Sequence, residues 1–188
     1  MAGTKILFYI ALSYMTGLYK RKGGTMMENW QFCFLSDQYY IDFPDKYLMK
    51  NKEAIEGNLA DRPCFFAFCD TKKQDILWLV PISSKYDKYK KIYDRNMERY
   101  GSCTTIRFGQ ALGKQAAFLI QNMCPATEKY IRGIYADKNN TPIHIDNRVV
   151  QDVVNNAKSV LAKAKRGAKL IFPDVLSIEK SLLAQLNG

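Results

Sequence analysis

Two stretches, CFFAFC at 64–69 and ILWLVPI at 76–82, carry apolar residues at every position. A strand with one wet face alternates apolar and polar residues, whereas a strand without polar positions has to be covered on both faces. Aromatic and branched side chains favour strand over helix in both runs, and the intervening DTKKQD has turn composition. The pair therefore predicts a β-hairpin in the middle of a covered sheet. Its second run ends at Ser83, Ser84 and Lys85 and opens a strongly basic segment, YDKYKK. Two hydroxyls and an ammonium thus stand where the most apolar strand reaches the rim of the sheet.

After Pro81 the periodicity changes from strand to helix. At 100° per residue Tyr86, Tyr89, Tyr93, Met97 and Tyr100 share an arc of about 80°, and Lys88, Lys91, Arg95 and Arg99 share another. The first arc is expected to pack on the sheet and the second to form a basic stripe, either a solvated face or an RNA contact. Upstream, QFCFL from Gln31 reads as a strand. Ser36 and Asp37 follow as cap candidates for a helical turn carrying Tyr39 and Tyr40, which Pro44 ends. Residues 50–62 (KNKEAIEGNLADR) read as a surface loop. Downstream, TTIRF and KQAAFLI around GQALG predict a second hairpin, and MCPATEKYI, IRGIYA and PIHI continue the strands, with NNTP as a turn. Asp146 is suited to cap a long helix whose Val149, Val150, Val153, Val154, Ala157, Val160, Leu161 and Ala164 share one side and which Gly167 stops. A last helix starts at Pro173 and Asp174. The expected class is α+β, a strongly twisted, mainly antiparallel sheet wrapped by several helices.

The 188 residues are enough for one domain, and a formal charge of +10 favours a polyanionic partner, since each cation that neutralises a phosphate releases a counterion. Five cysteines without a CxxC pair point to a reduced, cytoplasmic protein. The one histidine, His144, lies in PIHI away from the cysteines, which argues against zinc and for a structural strand position. The apolar run at 6–19 is short for a membrane span and interrupted by Ser13, Thr16 and Gly17. Lys22-Gly23-Gly24-Thr25-Met26-Met27 can be encoded by AAA GGA GGT ACN ATG ATG, a ribosome-binding sequence ahead of two start codons. Residues 1–25 are accordingly expected to be translated leader, with a single natural domain at 26–188. Without Lys5, Lys20, Arg21 and Lys22 the chain keeps 24 basic against 18 acidic residues, so the basic balance survives.

The sequence contains no GxxxxGK[ST], HExxH or GxSxG motif and no carboxylate cluster arranged for magnesium, and ALGK at 111–114 is too short to count as a phosphate loop. Hydroxyls, lysines and an arginine at strand ends suit a reaction that needs no metal or other cofactor, attack of a ribose 2′-OH on the adjacent phosphate. The protein's part is then to move protons and to neutralise charge on the phosphorane-like transition state, and DNA is not cut because it lacks the nucleophile.

The order Arg62-Pro63-CFFAF, polar turn, ILWLVPI-Ser83-Ser84-Lys85 resembles the signature of the MazF/Kid endoribonuclease toxins, in which the arginine and hydroxyl belong to the active site. FCFLSDQYY, PISSK and FLIQNMCP, spread over about residues 32–125, are more similar to the type III toxin-antitoxin nucleases, the ToxN/AbiQ group and its CptN/TenpN branch. The resemblance implies a metal-independent endoribonuclease that processes a repeated, folded RNA antitoxin and is held inactive by it in a closed ring-like assembly, with cellular or phage mRNA as substrate. The central hydroxyl and lysine of that group fall on Ser83 or Ser84 and Lys85, and its N-terminal tyrosine on Tyr39. Where ToxN-like members carry a lysine after the proline of the preceding strand this chain has Cys64, and Arg62 is the replacement cation. The expected catalytic set is Ser83, Ser84, Lys85, Arg62 and Tyr39, and the expected RNA contacts are Lys88, Lys91, Arg95, Arg99 and Lys114. Structural alternatives are that Ser83 or Ser84 caps the next helix, that Arg62 pairs with Asp61 or Asp70, and that Tyr39 is a core aromatic; Asn122 to Pro125 reads as structural. Two rival functions are a non-catalytic RNA-binding module and a MazF-like toxin with a protein antitoxin.

Overall fold

A computed structural model describes residues 30–55, 58–60, 62–70, 75–111, 113–136, 143 and 145–187, together with 18–19 and 27–28. The strands, in chain order, are β1 (Leu18–Tyr19), β2 (Met27–Glu28), β3 (Phe32–Leu35), β4 (Lys52–Ile55), β5 (Asn58–Ala60), β6 (Pro63–Cys69), β7 (Leu77–Ser83), β8 (Ile106–Ala111), β9 (Lys114–Leu119), β10 (Cys124–Ala126) and β11 (Ile131–Ile134). Seven of them form one sheet in the order β11-β3-β6-β7-β9-β8, with β10 also paired to β7, and every pairing is antiparallel. Four α-helices accompany the sheet among the described residues: α1 (Asp37–Asp42), α2 (Tyr86–Tyr100), α3 (Asn147–Ala164) and α4 (Val175–Asn187). This is the expected α+β architecture.

The all-apolar hairpin is β6–β7, and it lies at the centre of the strand order. All positions of β7 are buried, and β6 is buried at every position but its two ends. Each large side chain taken out of water here, such as Phe65, Phe66, Leu79 and Trp78, contributes roughly 1.5–3 kcal/mol. One edge of β7 bonds to β6, and the other is divided. Leu77 to Leu79 pair with β10, and Ile82 and Ser83 pair with β9, while a 3-10 turn at Ile120–Asn122 carries the chain between these two partners.

Alternation along β9 assigns the helices to the two faces. Ala117 and Leu119 join a cluster with Ile106, Phe108, Tyr89, Ile92 and Tyr93, so α2 lies on that face. Ala116 and Phe118 belong to the larger core, which holds Val150, Val153, Ala157 and Val160 of α3 and Ile178 and Leu182 of α4. Asp146 caps α3 by accepting the Arg148 N–H at 2.8 Å, and Asp174 accepts from the Ser177 N–H at 3.1 Å and its hydroxyl at 2.8 Å. The first cap falls where the sequence puts it, and α4 begins at Val175, directly after the expected start at Pro173 and Asp174.

Several expectations need correction. Residues 50–62 are not only loop, since β4 and β5 pair within them. Glu128–Tyr130 is a 3-10 turn rather than strand, and Ile143 and Ile145 lie outside any strand. On α2 the tyrosine arc packs only over its first part, for Tyr89 and Tyr93 join the cluster on β8 and β9 while Met97 is 38% and Tyr100 63% exposed. His144, the NNTP turn, residues 71–74 and nearly all of the expected leader lie outside the described residues.

Gly109 of β8 sits beneath α3 so closely that a Cβ there would lie 2.6 Å from Val149 Cγ1. Gly109→Ala is expected to lose about 1–3 kcal/mol by overpacking. Adding Val149→Ala should recover part of that loss in a urea-denaturation double-mutant cycle, whereas strictly additive losses would contradict the close approach.

Candidate functional site

The register of β6 and β7 pairs Cys64 with Pro81, and continuing it by two residues sets Arg62 opposite Ser83. On the other side Ser83 pairs with Ala117 of β9, whose first residue is Lys114. Three neighbouring strands therefore bring Arg62, Ser83 and Lys114 to one rim, and the chain turns there into α2. The result is a cleft of about 590 Å³ lined by Arg62, Ser83, Ser84, Lys85, Lys88, Tyr89, Lys114, Gln115 and Tyr135, with Met49, Pro63, Ile82, Ala111 and Ala116 as its apolar wall. Its described lining holds four cations and no Asp, Glu or His.

Arg62 is held in a fixed pose. Its Nε donates to the Lys50 carbonyl at 3.2 Å, its Nη1 to the Ile82 carbonyl at 3.3 Å, and its backbone N–H to Asn51 Oδ1 at 3.1 Å. Among the described residues the side chain's acceptors are neutral carbonyls, so the remaining N–H groups of the fork suit an anion. Asp70, the described carboxylate considered as its partner, lies instead 3.5 Å from Lys165; Asp61 is outside the described residues.

Ser83 is buried and its Oγ accepts the Lys85 N–H at 3.2 Å, while Ser84 and Lys85 are exposed. Neither serine is the N-cap of α2. That position belongs to Lys85, whose own side chain makes no capping hydrogen bond. The positive end of a 15-residue helix therefore opens beside the cations of the cleft. Tyr89, one turn after Lys85, also lines the cleft, and partial burial raises its phenol pKa, with the Arg62 charge acting in the opposite sense.

Of the residues expected from sequence, Arg62, Ser83, Ser84, Lys85, Lys88 and Lys114 are brought together. Lys91, Arg95 and Arg99 are exposed farther along α2 and do not line the cleft. Tyr39 is elsewhere. Its ring has no exposed surface and packs against Tyr40, Phe43 and Tyr130 in the core, and its hydroxyl donates to the Pro125 carbonyl at 2.7 Å. Burial first, then the neighbouring Cys124, raises its phenol far above the usual range, so it stays a proton donor. Tyr39 thus takes the position of a core aromatic that anchors β10. Sequence reading missed Tyr89, Tyr135 and Gln115. The spacing of Tyr89 from Lys85 was a usable signal, whereas Tyr135 arrives from the far edge of the sheet without one.

No protein family and no curated protein matches the sequence. Among solved structures, AbiQ, a lactococcal anti-phage endoribonuclease belonging to the type-III toxin-antitoxin system, superposes with a TM-score of 0.59 at 14% identity, covering 85% of this chain and 99% of that chain. The chain shares the fold of AbiQ. A second structure, from work on a processed non-coding RNA that regulates a bacterial antiviral system, aligns with a TM-score of 0.48 at 13% identity over 73% of this chain and 87% of that one. The expected resemblance therefore holds for the architecture of AbiQ. Among the described residues no helix is long and apolar enough to cross a membrane, and no three His, Cys, Asp or Glu side chains are grouped as metal ligands.

Tyr39→Phe leaves the buried Pro125 carbonyl without its donor and is expected to lower stability by about 1–3 kcal/mol in chemical denaturation. A variant as stable as the parent would show that the bond to β10 contributes nothing.

Proposed function

We propose that the chain is the endoribonuclease toxin of a type III toxin-antitoxin system, working in the cytoplasm and cutting RNA by 2′-OH attack without a metal. The observation that carries this reading is the convergence of Arg62, Ser83, Ser84, Lys85 and Lys114 in one cleft free of carboxylates among its described lining, on a fold shared with the endoribonuclease AbiQ.

In this reading the scissile phosphate lies among Arg62, Lys114 and the start of α2, where fixed donors meet the charge that develops on its oxygens. The 2′-oxygen bonds to phosphorus as the 5′-oxygen leaves, which gives a 2′,3′-cyclic phosphate and a 5′-hydroxyl. One proton leaves the 2′-OH and one reaches the 5′-oxygen. Because the described lining offers amines, hydroxyls, a guanidinium and the Gln115 amide but no carboxylate or imidazole, these transfers fall to lysine, serine and tyrosine side chains, and Lys85 at the mouth is assigned the proton to the leaving oxygen. Ser83 and Ser84 orient the sugar and phosphate. Lys88 lies at the cleft, and Lys91, Arg95 and Arg99 continue the charge along α2 as a track for the phosphate chain.

The inhibitor that this cleft accepts is a folded, repeated RNA antitoxin, processed from its precursor by the toxin and retained in a closed cyclic assembly. Cellular or phage mRNA is the substrate of the free toxin. The four cleft cations and the formal charge of +10 support an RNA partner over a neutral one.

Purified protein incubated with mixed RNA in chelator should yield 2′,3′-cyclic phosphate ends, and an RNA with a single deoxyribose at the cut site should survive. Lys85→Ala is expected to slow cutting about 10²- to 10⁴-fold while weakening the binding of uncleavable RNA less than about tenfold. Lys85→Arg, which keeps the charge but holds its proton, should stay slow. Cutting at the parental rate by Lys85→Ala, or loss of cutting on chelation, would refute the mechanism.

A further inference from the structure

A second basic cluster, Lys163, Lys165, Arg166 and Lys169, ends α3 and enters the connection to α4. The cleft does not use it. Beside it lies a depression of about 700 Å³, whose lining includes Tyr47, Lys169, Phe172 and Leu176. Tyr47 is 48% and Phe172 50% exposed, with ring centroids 6.1 Å apart. The backbone beneath the two rings is held in place. Asn122 Nδ2 donates to the Tyr47 carbonyl at 3.1 Å, and the Phe172 N–H donates to the Gln121 carbonyl at 2.8 Å. Consecutive residues of the 3-10 turn thus fix the backbone that carries both rings, so only side-chain rotation is left to order when a flat ligand arrives.

The electrostatics of this surface indicate the ligand. Lys46, Arg166 and Lys169 are exposed, and Lys46 Nζ lies 5.0 Å from the Tyr47 ring centre. Lys165 is already engaged, 3.4 Å from Glu179 and 3.5 Å from Asp70. Asp45 accepts the Tyr47 N–H at 2.7 Å and the Asp174 N–H at 2.8 Å, and Asp174 accepts from Ser177, so the carboxylates at the depression serve the backbone. Two exposed aromatic faces, one with Lys46 over it and both beside Lys169, offer an unpaired nucleobase a stacking surface and its flanking phosphates a cation. The position of the platform is also informative. Met49 lines the cleft, and Tyr47 stands two residues before it on the same loop, so the Cα atoms of these two residues are at most ~7 Å apart.

We propose that Tyr47 and Phe172 form a stacking platform for an unpaired base of the same RNA strand that enters the cleft, with Lys46, Arg166 and Lys169 taking the neighbouring phosphates. The inference rests on the RNA-cutting reading above and extends it to a subsite that sets how the strand runs on from the cut.

A fluorescent single-stranded RNA with 2′-O-methyl at every sugar tests the platform without cleavage. Tyr47→Ala/Phe172→Ala should weaken its binding about 10- to 100-fold, the loss expected when stacking of one or two bases is removed. Phe172→Trp should bind as the parent does. In the parent, 5-iodouridine RNA should photo-crosslink to Tyr47 or Phe172. Parental affinity in the double alanine variant, or crosslinks at neither residue, overturns the platform and leaves the RNA reading standing, provided the parent binds and cuts RNA. A parent that neither binds nor cuts RNA removes both. If the alanine variant misfolds, Tyr47→Leu/Phe172→Leu keeps the apolar cover and should show the same loss. Should that variant abolish self-association in sedimentation while RNA affinity is unchanged, the surface joins copies of the chain and the proposal fails.

Discussion

The rest of the structure depends on how strand β7 is shared. It is buried along its whole length, so every backbone group needs a partner, yet its free edge is served by two different strands. β10 covers Leu77 to Leu79 and β9 covers Ile82 and Ser83, which leaves Val80 and Pro81 between them on that edge. A proline has no N–H to give a ladder, and in a central strand it fits only at such a break. Pro81 marks the point where the sheet changes partner. Two residues later the strand ends at Ser83, with β6 and β9 still on either side to deliver Arg62 and Lys114.

The same break requires the 3-10 turn at Ile120–Asn122, and the turn has to be anchored. Tyr39 holds its far side through Pro125, while Gln121 and Asn122 hold the Phe172 and Tyr47 segments. The loop from Tyr47 to Asn51 is in turn tied to the cleft, since Tyr40 donates to the Met49 carbonyl at 3.2 Å and Asn51 joins Leu35, Asp37 and Arg62. Core aromatics, loop and cleft form one connected set of bonds. A side chain outside the cleft, such as Tyr39, is therefore linked to it through position and not through contact.

What the sequence made legible follows from this. An all-apolar hairpin admits one location, and Asp146 and the valine stripe of α3 admit one orientation, so these elements were readable from local pattern. The serine-lysine corner was readable because a buried strand that ends in polar residues has to end at a rim. The exposure of Met97 and Tyr100 was not, because the helical period continues unchanged along the arc and does not say where its packing partners end. The β4–β5 pairing lay in a polar stretch without alternation to reveal it. Tyr39 was assigned to the site by resemblance, and only the packing of three aromatic rings around it reveals a core position. Tyr135 joins the cleft through the pairing of β11 with β3, a contact between segments about a hundred residues apart that no local period encodes.

The departure at Cys64 now has a physical explanation. Cys64 is 1% exposed, directly opposite Pro81 and Cys33, and burial raises its thiol pKa far above the usual value. A lysine at this position would have to carry its charge out of the most apolar part of the sheet, where desolvation disfavours the ammonium. Arg62 begins two residues earlier, at the strand edge, and reaches the same cleft with its guanidinium held on two carbonyls. Lys114 approaches from the opposite strand. Moving the cation from inside the strand to its flanks keeps positive charge at the cleft while allowing position 64 to remain part of the core. The arrangement places Arg62 and Lys114 in one cleft from the two strands that flank β7, so its positive charge comes from strand ends and not from a buried position.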